Sequence, residues 1–251
     1  TYDNNIFMTP GKSEERLTVV NDLTRPLFNR ALNGSYNPGS TIKPLVALAA
    51  LHEKVVSPTY QIFSKGYIEI PNPFVPDKPS RFVDWKAHGW VDVRSALARS
   101  SNVYFYELGG GFEGLKGLGI DRLNHYWQKF GLGAKTGIDA DSESTGFLPT
   151  IEEKETRTRQ PWRIGDTYNV SIGQGDLLVS PLQLLDYIAS IANNGVLYQP
   201  HFVRSISASP PAELEKLIDY SDWKAELKEV QAGMRDGVVK EYGTSHLLND
   251  L

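Results

Sequence analysis

Not one of the 251 residues is cysteine. That excludes a thiol nucleophile, a disulfide and any metal site built on thiolates, and it is compatible with an extracytoplasmic location. No run of 18 apolar residues is present, and the amino-terminal residues lack the layout of a signal peptide, so no segment reads as membrane-spanning. Positive charge is not in excess: 26 Lys and Arg stand against 30 Asp and Glu, a net charge of −4. Such a balance leaves no electrostatic footprint for nucleic acid. There is no fixed-period repeat and no low-complexity tract. The glycines of Ser171-Ile172-Gly173-Gln174-Gly175 are not followed by the Lys-Ser/Thr of a phosphate loop.

The 40% hydrophobic content suffices for one large domain or two small ones. The chain opens on "TYDNNIFMTPG", loop-like and without an initiator Met, as a piece of something longer would. Residues 1–39 read as irregular, and residues 40–54 as a buried helix with Leu45, Leu48 and Leu51 on one side. "FSKGYIEIPNPF" (63–74) reads as a short strand pair, and 92–108 as two short helices with polar residues between them. A helix follows at 120–130. Then comes a Gly-, Thr- and Pro-rich loop over 133–170 holding one charged helix, "IEEKETRTRQPW". The best-marked helix spans 180–194, with Ser180 as cap, Pro181 at its first position and Gly195 beyond its last turn. "VLYQPHFVRSISAS" is strand-like, and 221–238 reads as an amphipathic helix. The balance is helix-rich, with no long strand to serve as the centre of a sheet.

Ser40 and Lys43 are the first candidates for chemistry. A serine at a helix start can simply cap it. Here, though, Pro38-Gly39 forces a tight approach and an apolar helix follows at once, so Lys43 must enter or border the core. Burial lowers a lysine pKa, which is what the amine needs to accept a serine proton, and a helix amino terminus favours the oxyanion that acylation creates. The alternative is a cap beside a lysine whose head reaches solvent. Ser221-Asp222-Trp223-Lys224 has the same spacing, but there Ser221 reads as an N-cap and Lys224 as part of a solvated face. Ser100-Ser101-Asn102 offers a hydroxyl and an amide two apart on a turn. The similar Ser35-Tyr36-Asn37 reads as a plain turn. Asp84 and His88 are four apart and could share a metal, but no clear third ligand accompanies them. The histidines at 52, 125, 201 and 246 are scattered singly and read as packing or surface residues.

Ser-x-x-Lys, a Ser-x-Asn triplet and Lys-Thr-Gly, in that order, are the signature of penicillin-binding proteins and class A β-lactamases. Longer stretches carry the likeness further: "RPLFNRALNGSYNPGSTIKP", "RSALARSSNVYFYELG", "FGLGAKTGID" and "VSIGQGDLLVSPLQLLDYIASIANNGVLYQPHFV". Together they resemble the transpeptidase domain of class B penicillin-binding proteins, most of all the elongation-type penicillin-binding protein 2 branch. The resemblance implies an α+β fold of the transpeptidase and serine β-lactamase kind. It implies Ser40 as the acyl-forming nucleophile and Lys43 as general base, with Ser100 and Asn102 relaying protons and holding substrate. Many elongation-type members carry Asp where Asn102 stands. The spacing to Asn102 favours Ser100 over Ser101 as the inward hydroxyl. Lys135-Thr136-Gly137 matches the third motif by letters alone. Its continuation, "KTGIDADSE", lacks strand alternation and fits a family block that precedes the true triplet, so Lys135 is expected on an exposed turn outside the cleft.

By the same resemblance residues 1–251 form a partial transpeptidase domain, mainly its helical part, lacking most of the central antiparallel sheet and the true third motif. This stretch alone is then expected to be inactive. The parent is expected to be a peptidoglycan D,D-transpeptidase of cell-wall elongation, membrane-anchored with its catalytic domain extracytoplasmic. Stem peptides ending in D-Ala-D-Ala, β-lactams, a membrane-embedded glycan polymerase and elongation-complex proteins are its expected partners, and no cofactor is implied. Two rivals remain: a β-lactamase or β-lactam sensor, for which no Glu-x-x-Leu-Asn pattern follows the second motif, and a non-catalytic scaffold, against which the intact Ser40, Lys43, Ser100 and Asn102 argue and for which the missing third motif argues.

Overall fold

A computed structural model of the chain describes residues 2–72, 75, 77–205 and 213–250. Its helices are α1 (Ser13–Asn21), α2 (Arg30–Asn33), α3 (Lys43–His52), α4 (Val93–Ala98), α5 (Asn102–Gly110), α6 (Gly119–Lys129), α7 (Ile151–Thr158), α8 (Ile164–Ser171), α9 (Pro181–Ala192) and α10 (Lys224–Val239). The strands are β1 (Ile62–Ser64), β2 (Tyr67–Ile70), β3 (Ser80–Val83), β4 (Gly89–Val91), β5 (Val196–Tyr198) and β6 (Lys216–Asp219).

The apolar run after Ser40 sets the architecture. Every residue from Ile42 to Leu51 is buried, so α3 has no solvated face. A helix apolar all round can only sit inside a core, and α4, α5, α6 and α10 pack around it. Each of Leu45, Val46 and Leu48 is fully buried, worth about 1.5–3 kcal/mol relative to exposure. The interleaved Ala47, Ala49 and Ala50 let the surrounding helices approach closely. α9 starts as its sequence predicts: the Ser180 hydroxyl accepts from Gln183 N at 3.1 Å and Gln183 Oε1 accepts from Ser180 N at 2.9 Å, closing a capping box.

Several expectations are corrected. β1 and β2 do not pair with each other; β1 pairs antiparallel with β4, and β2 with β3. A two-residue hairpin needs left-handed backbone at its first central residue, and of Lys65 and Gly66 only Gly66 is left-handed. Pro73 and Phe74 of the anticipated pair lie outside the described residues. The region read as loop contains α8, whose Gly165, Thr167 and Asn169 are weak helix formers. Packing against α5 overrides propensity: a Cβ at Gly109 would lie 1.7 Å from Ser171 Oγ, so only glycine admits this approach. α1 lies in a stretch read as irregular, and it buries no residue, hence shows no apolar stripe.

Of the strand-like 196–209 stretch only Val196–Tyr198 is a strand, pairing with β6; residues 206–209 lie outside the described residues. Ser221 does not cap α10. Its N–H donates to Asp219 Oδ1 at 3.0 Å, and the helix begins after Trp223, whose ring stacks on Tyr220 and on His52. Among the described residues the strands form three two-stranded sheets.

Candidate active site

Ser40 lies in a single 3-10 turn, Gly39–Ile42, that runs directly into α3. The Lys43 N–H donates to the Ser40 carbonyl, which locks the two residues one turn apart. The Ser40 side chain is exposed and caps nothing, so the capping explanation for this serine fails.

The turn is held from several sides. Gly39 N donates to Gly173 O at 2.8 Å, and Asn37 Nδ2 donates to Gly175 O at 2.7 Å and Leu177 O at 2.8 Å. Tyr36 and Val179 exchange two backbone hydrogen bonds of 2.9 Å, and the buried Tyr187 hydroxyl donates to Thr41 O. Gly173, at φ +74°, presses on Gly39: a Cβ there would sit 2.1 Å from Gly39 O. Gly173 thus allows the 171–175 loop to pass against the Ser40 turn.

Lys43 is 2% exposed. Its Nζ donates to Ser100 O at 2.8 Å, Ser100 Oγ at 3.1 Å and Asn102 Oδ1 at 2.8 Å, and it stands 5.4 Å from the centre of the Phe105 ring. Burial dominates its ionisation and brings its pKa down to about 7, with the Asp84 carboxylate acting in the opposite direction. Near neutral pH a sizeable fraction is therefore free amine, the form that can accept a proton.

Ser100 occupies the turn between α4 and α5, and Asn102 is the first residue of α5. Ser100 has φ +51°, a left-handed backbone that costs a non-glycine residue energy and persists only where the surroundings fix it. Ser100 N donates to Leu97 O and Ser101 N to Ala96 O, each at 3.0 Å. The adjacent hydroxyls part company: Ser100 Oγ meets Lys43, while Ser101 Oγ accepts from Tyr104 N as the cap of α5 and donates to Asp84 Oδ2 at 2.8 Å. Lys43, Ser100 and Asn102 thus meet at one amine.

Asp84 is the residue that sequence reasoning misses. Its side chain is fully buried and stands 3.5 Å from His88 Nε2, but its oxygens are taken by donors of the 101–103 turn and of Trp85. Among the described residues no group of three or more candidate ligands could hold a metal. Burial pushes the His88 pKa down against the pull of Asp84, so this imidazole is neutral at neutral pH. No regular spacing ties Asp84 to Ser101 and Val103.

Lys135 is exposed and belongs to no strand. The triplet it opens is wrapped around one carboxylate: Thr136 N and Thr136 Oγ1 donate to Glu143 Oε2 at 2.9 and 2.6 Å, and Gly137 N to Glu143 Oε1 at 3.0 Å. Glu143 in "DADSE" is what makes this a closed turn.

A family model described as the penicillin-binding protein transpeptidase domain matches residues 1–249. The chain is 39% identical over 224 residues to the peptidoglycan D,D-transpeptidase MrdA of Haemophilus influenzae, covering 88% of this chain and 33% of that protein. It therefore spans about a third of the length of this relative. The crystal structure of Pseudomonas aeruginosa PBP2 superposes with a TM-score of 0.81 at 35% identity, over 95% of this chain and 52% of that one. Helicobacter pylori PBP2, solved in complex with MreC, gives 0.78 at 31% identity, over 94% and 41% of the two chains.

Proposed function

The chain belongs to the penicillin-binding protein transpeptidase family, and on that footing we propose that it serves a peptidoglycan D,D-transpeptidase of cell-wall elongation. The observation that carries the reading is the Lys43 amine, buried, near-neutral in pKa, and hydrogen-bonded to Ser100 and Asn102 one turn from an exposed Ser40.

In this reading Ser40 Oγ attacks the penultimate D-alanine carbonyl of a stem peptide as its proton passes to the free amine of Lys43. The positive end of α3 favours the resulting oxyanion. The C–N bond to the terminal D-alanine then breaks, and the leaving nitrogen takes the proton back from Lys43 by way of the Ser100 hydroxyl. An amine of a second stem attacks the ester carbonyl, gives up one proton through the same pair, and forms the cross-link while Ser40 regains its hydrogen. A β-lactam carbonyl enters the same first step and leaves Ser40 acylated. Asn102 is suited to hold a substrate amide beside the serine.

The parent is membrane-anchored under this reading, with this domain facing the cell wall. An elongation complex with a glycan polymerase is its setting, and the Helicobacter pylori relative solved with MreC supports that choice. The test uses the full-length protein with a stem pentapeptide ending in D-Ala-D-Ala and an acceptor amine. Release of D-alanine with formation of the cross-linked product, both lost in Ser40→Ala, is expected. No D-alanine release from the unmodified protein overturns the proposal.

A further inference from the structure

We infer that Asp84 is a positioning residue for acylation, fixing the Ser100–Asn102 turn by hydrogen bonds and facing the Lys43 amine with a buried negative charge. The inference rests on the transpeptidase reading above and adds to it a residue outside the sequence motifs.

Three observations carry it. First, Asp84 is 0% exposed at its side chain, and its carboxylate is spent on the turn: Oδ2 accepts from Ser101 Oγ at 2.8 Å and from Val103 N at 3.0 Å. Those donors bracket Asn102, and Ser101 follows Ser100. A buried carboxylate that accepts several hydrogen bonds is a strong, geometrically specific anchor. Second, the turn needs one. Ser100 holds a left-handed backbone, and Asn102 is braced on the neighbouring Val83 carbonyl by a long 3.4 Å hydrogen bond. Third, Asp84 is itself clamped. Its N–H donates to Gly66 O at 2.8 Å, Trp85 N donates to its Oδ1 at 2.9 Å, and Ser64 Oγ stands 3.5 Å from Oδ2.

Charge follows from the same placement. Among the described residues, Asp84 is the charged group whose field acts on Lys43, and it favours the protonated amine. Near Asp84 stand the imidazole of His88, which itself senses the cations Lys86 and Arg99, and the Tyr106 phenol. From the turn, Ser100, Asn102 and Phe105 face Lys43 without charge. Removing the carboxylate charge therefore eases deprotonation of Lys43, while removing its hydrogen bonds loosens the groups that Lys43 touches. The two effects are separable.

The experiment measures the second-order rate of acylation by a fluorescent penicillin against pH in the full-length protein, with Ser40→Ala as control. Asp84→Asn keeps the shape and removes the charge. It is expected to slow acylation at least about tenfold, because small displacements of reacting groups are costly, and to move the acid limb to lower pH by on the order of half a unit. Ser101→Ala removes the hydrogen bond to Asp84 along with the long cap to Tyr104 N and keeps the charge, so its rate should fall several-fold with the limb unmoved. Wild-type rates and profiles in both variants overturn the inference. So does a loss in Asp84→Asn that merely tracks the folded fraction with an unshifted limb. If Asp84→Asn does not fold, Ser101→Ala decides alone, and an unchanged rate there overturns it. Failure of the unmodified protein to acylate at Ser40 is a different result, which removes the transpeptidase reading itself.

Discussion

Asn102 Oδ1 accepts a 2.8 Å hydrogen bond from Lys43 Nζ across 59 residues of chain. That contact joins the start of α5 to the start of α3, and the ionisation of Lys43 governs what the pair can do. Its pKa of about 7 lies well below the ordinary 10.5 because the amine is buried. Acylation of Ser40 should thus rise with pH through about 7 and level off above it, as the amine loses its proton. A Lys43→Met variant should lose at least about a thousandfold in acylation rate.

The same shift has a stability consequence. Between about 7 and 10.5 the unfolded chain holds the Lys43 proton and the folded chain does not. The unfolded state then binds more protons, so stability rises with pH across that window. Urea midpoints taken at pH 7 and pH 10 should show this increment in the wild type and lack it in Lys43→Met. An equal slope in both proteins contradicts the assignment.

Glu107, on α5, titrates in the opposite sense. Burial, and then the nearby Glu113, raise its pKa from 4.5 to about 7. Its contribution is fully present below pH 4.5 and is lost as pH rises through 7. Glu107→Gln should be more stable than the wild type at pH 8 by on the order of 2 kcal/mol, with little difference at pH 4.5. Chemical denaturation at the two pH values checks this.

Gly173→Ala tests the brace behind Ser40. The added methyl lands 2.1 Å from Gly39 O at a left-handed φ, so backbone must move. A loss of about 2 kcal/mol or more is expected, together with slower acylation in the fraction that remains folded. Thermal melts paired with labelling rates separate the two, and normal kinetics in the folded variant would show that the loop braces nothing.

Lys135→Ala should leave both stability and acylation within experimental error. The lysine is exposed and the turn behind it is closed by Glu143 without it. Loss of acylation in this variant would mean that its triplet serves the site.

Legibility in the sequence followed the range of the forces involved. α3 was readable because its apolar run has no polar face, and α9 because Ser180 and Pro181 mark its start and Gly195 its end. Lys43 was readable because a charge just inside such a run has to be buried. The pairing of β1 with β4 was not, since nothing local distinguishes that partner from β2. α8 was hidden because its stability comes from the glycine face of α5 and not from its own residues. The role of Asp84 was hidden because its hydrogen-bond donors lie 17 and 19 residues away, and its local neighbour His88 offers only an incomplete metal pair.

The central claim is that Ser40 is the acylated residue. Mass spectrometry of the full-length protein after reaction with penicillin tests it most directly. One penicillin adduct is expected per chain, carried by the peptide that contains Ser40 and absent in Ser40→Ala. An adduct on another residue, or one that persists in Ser40→Ala, contradicts the account.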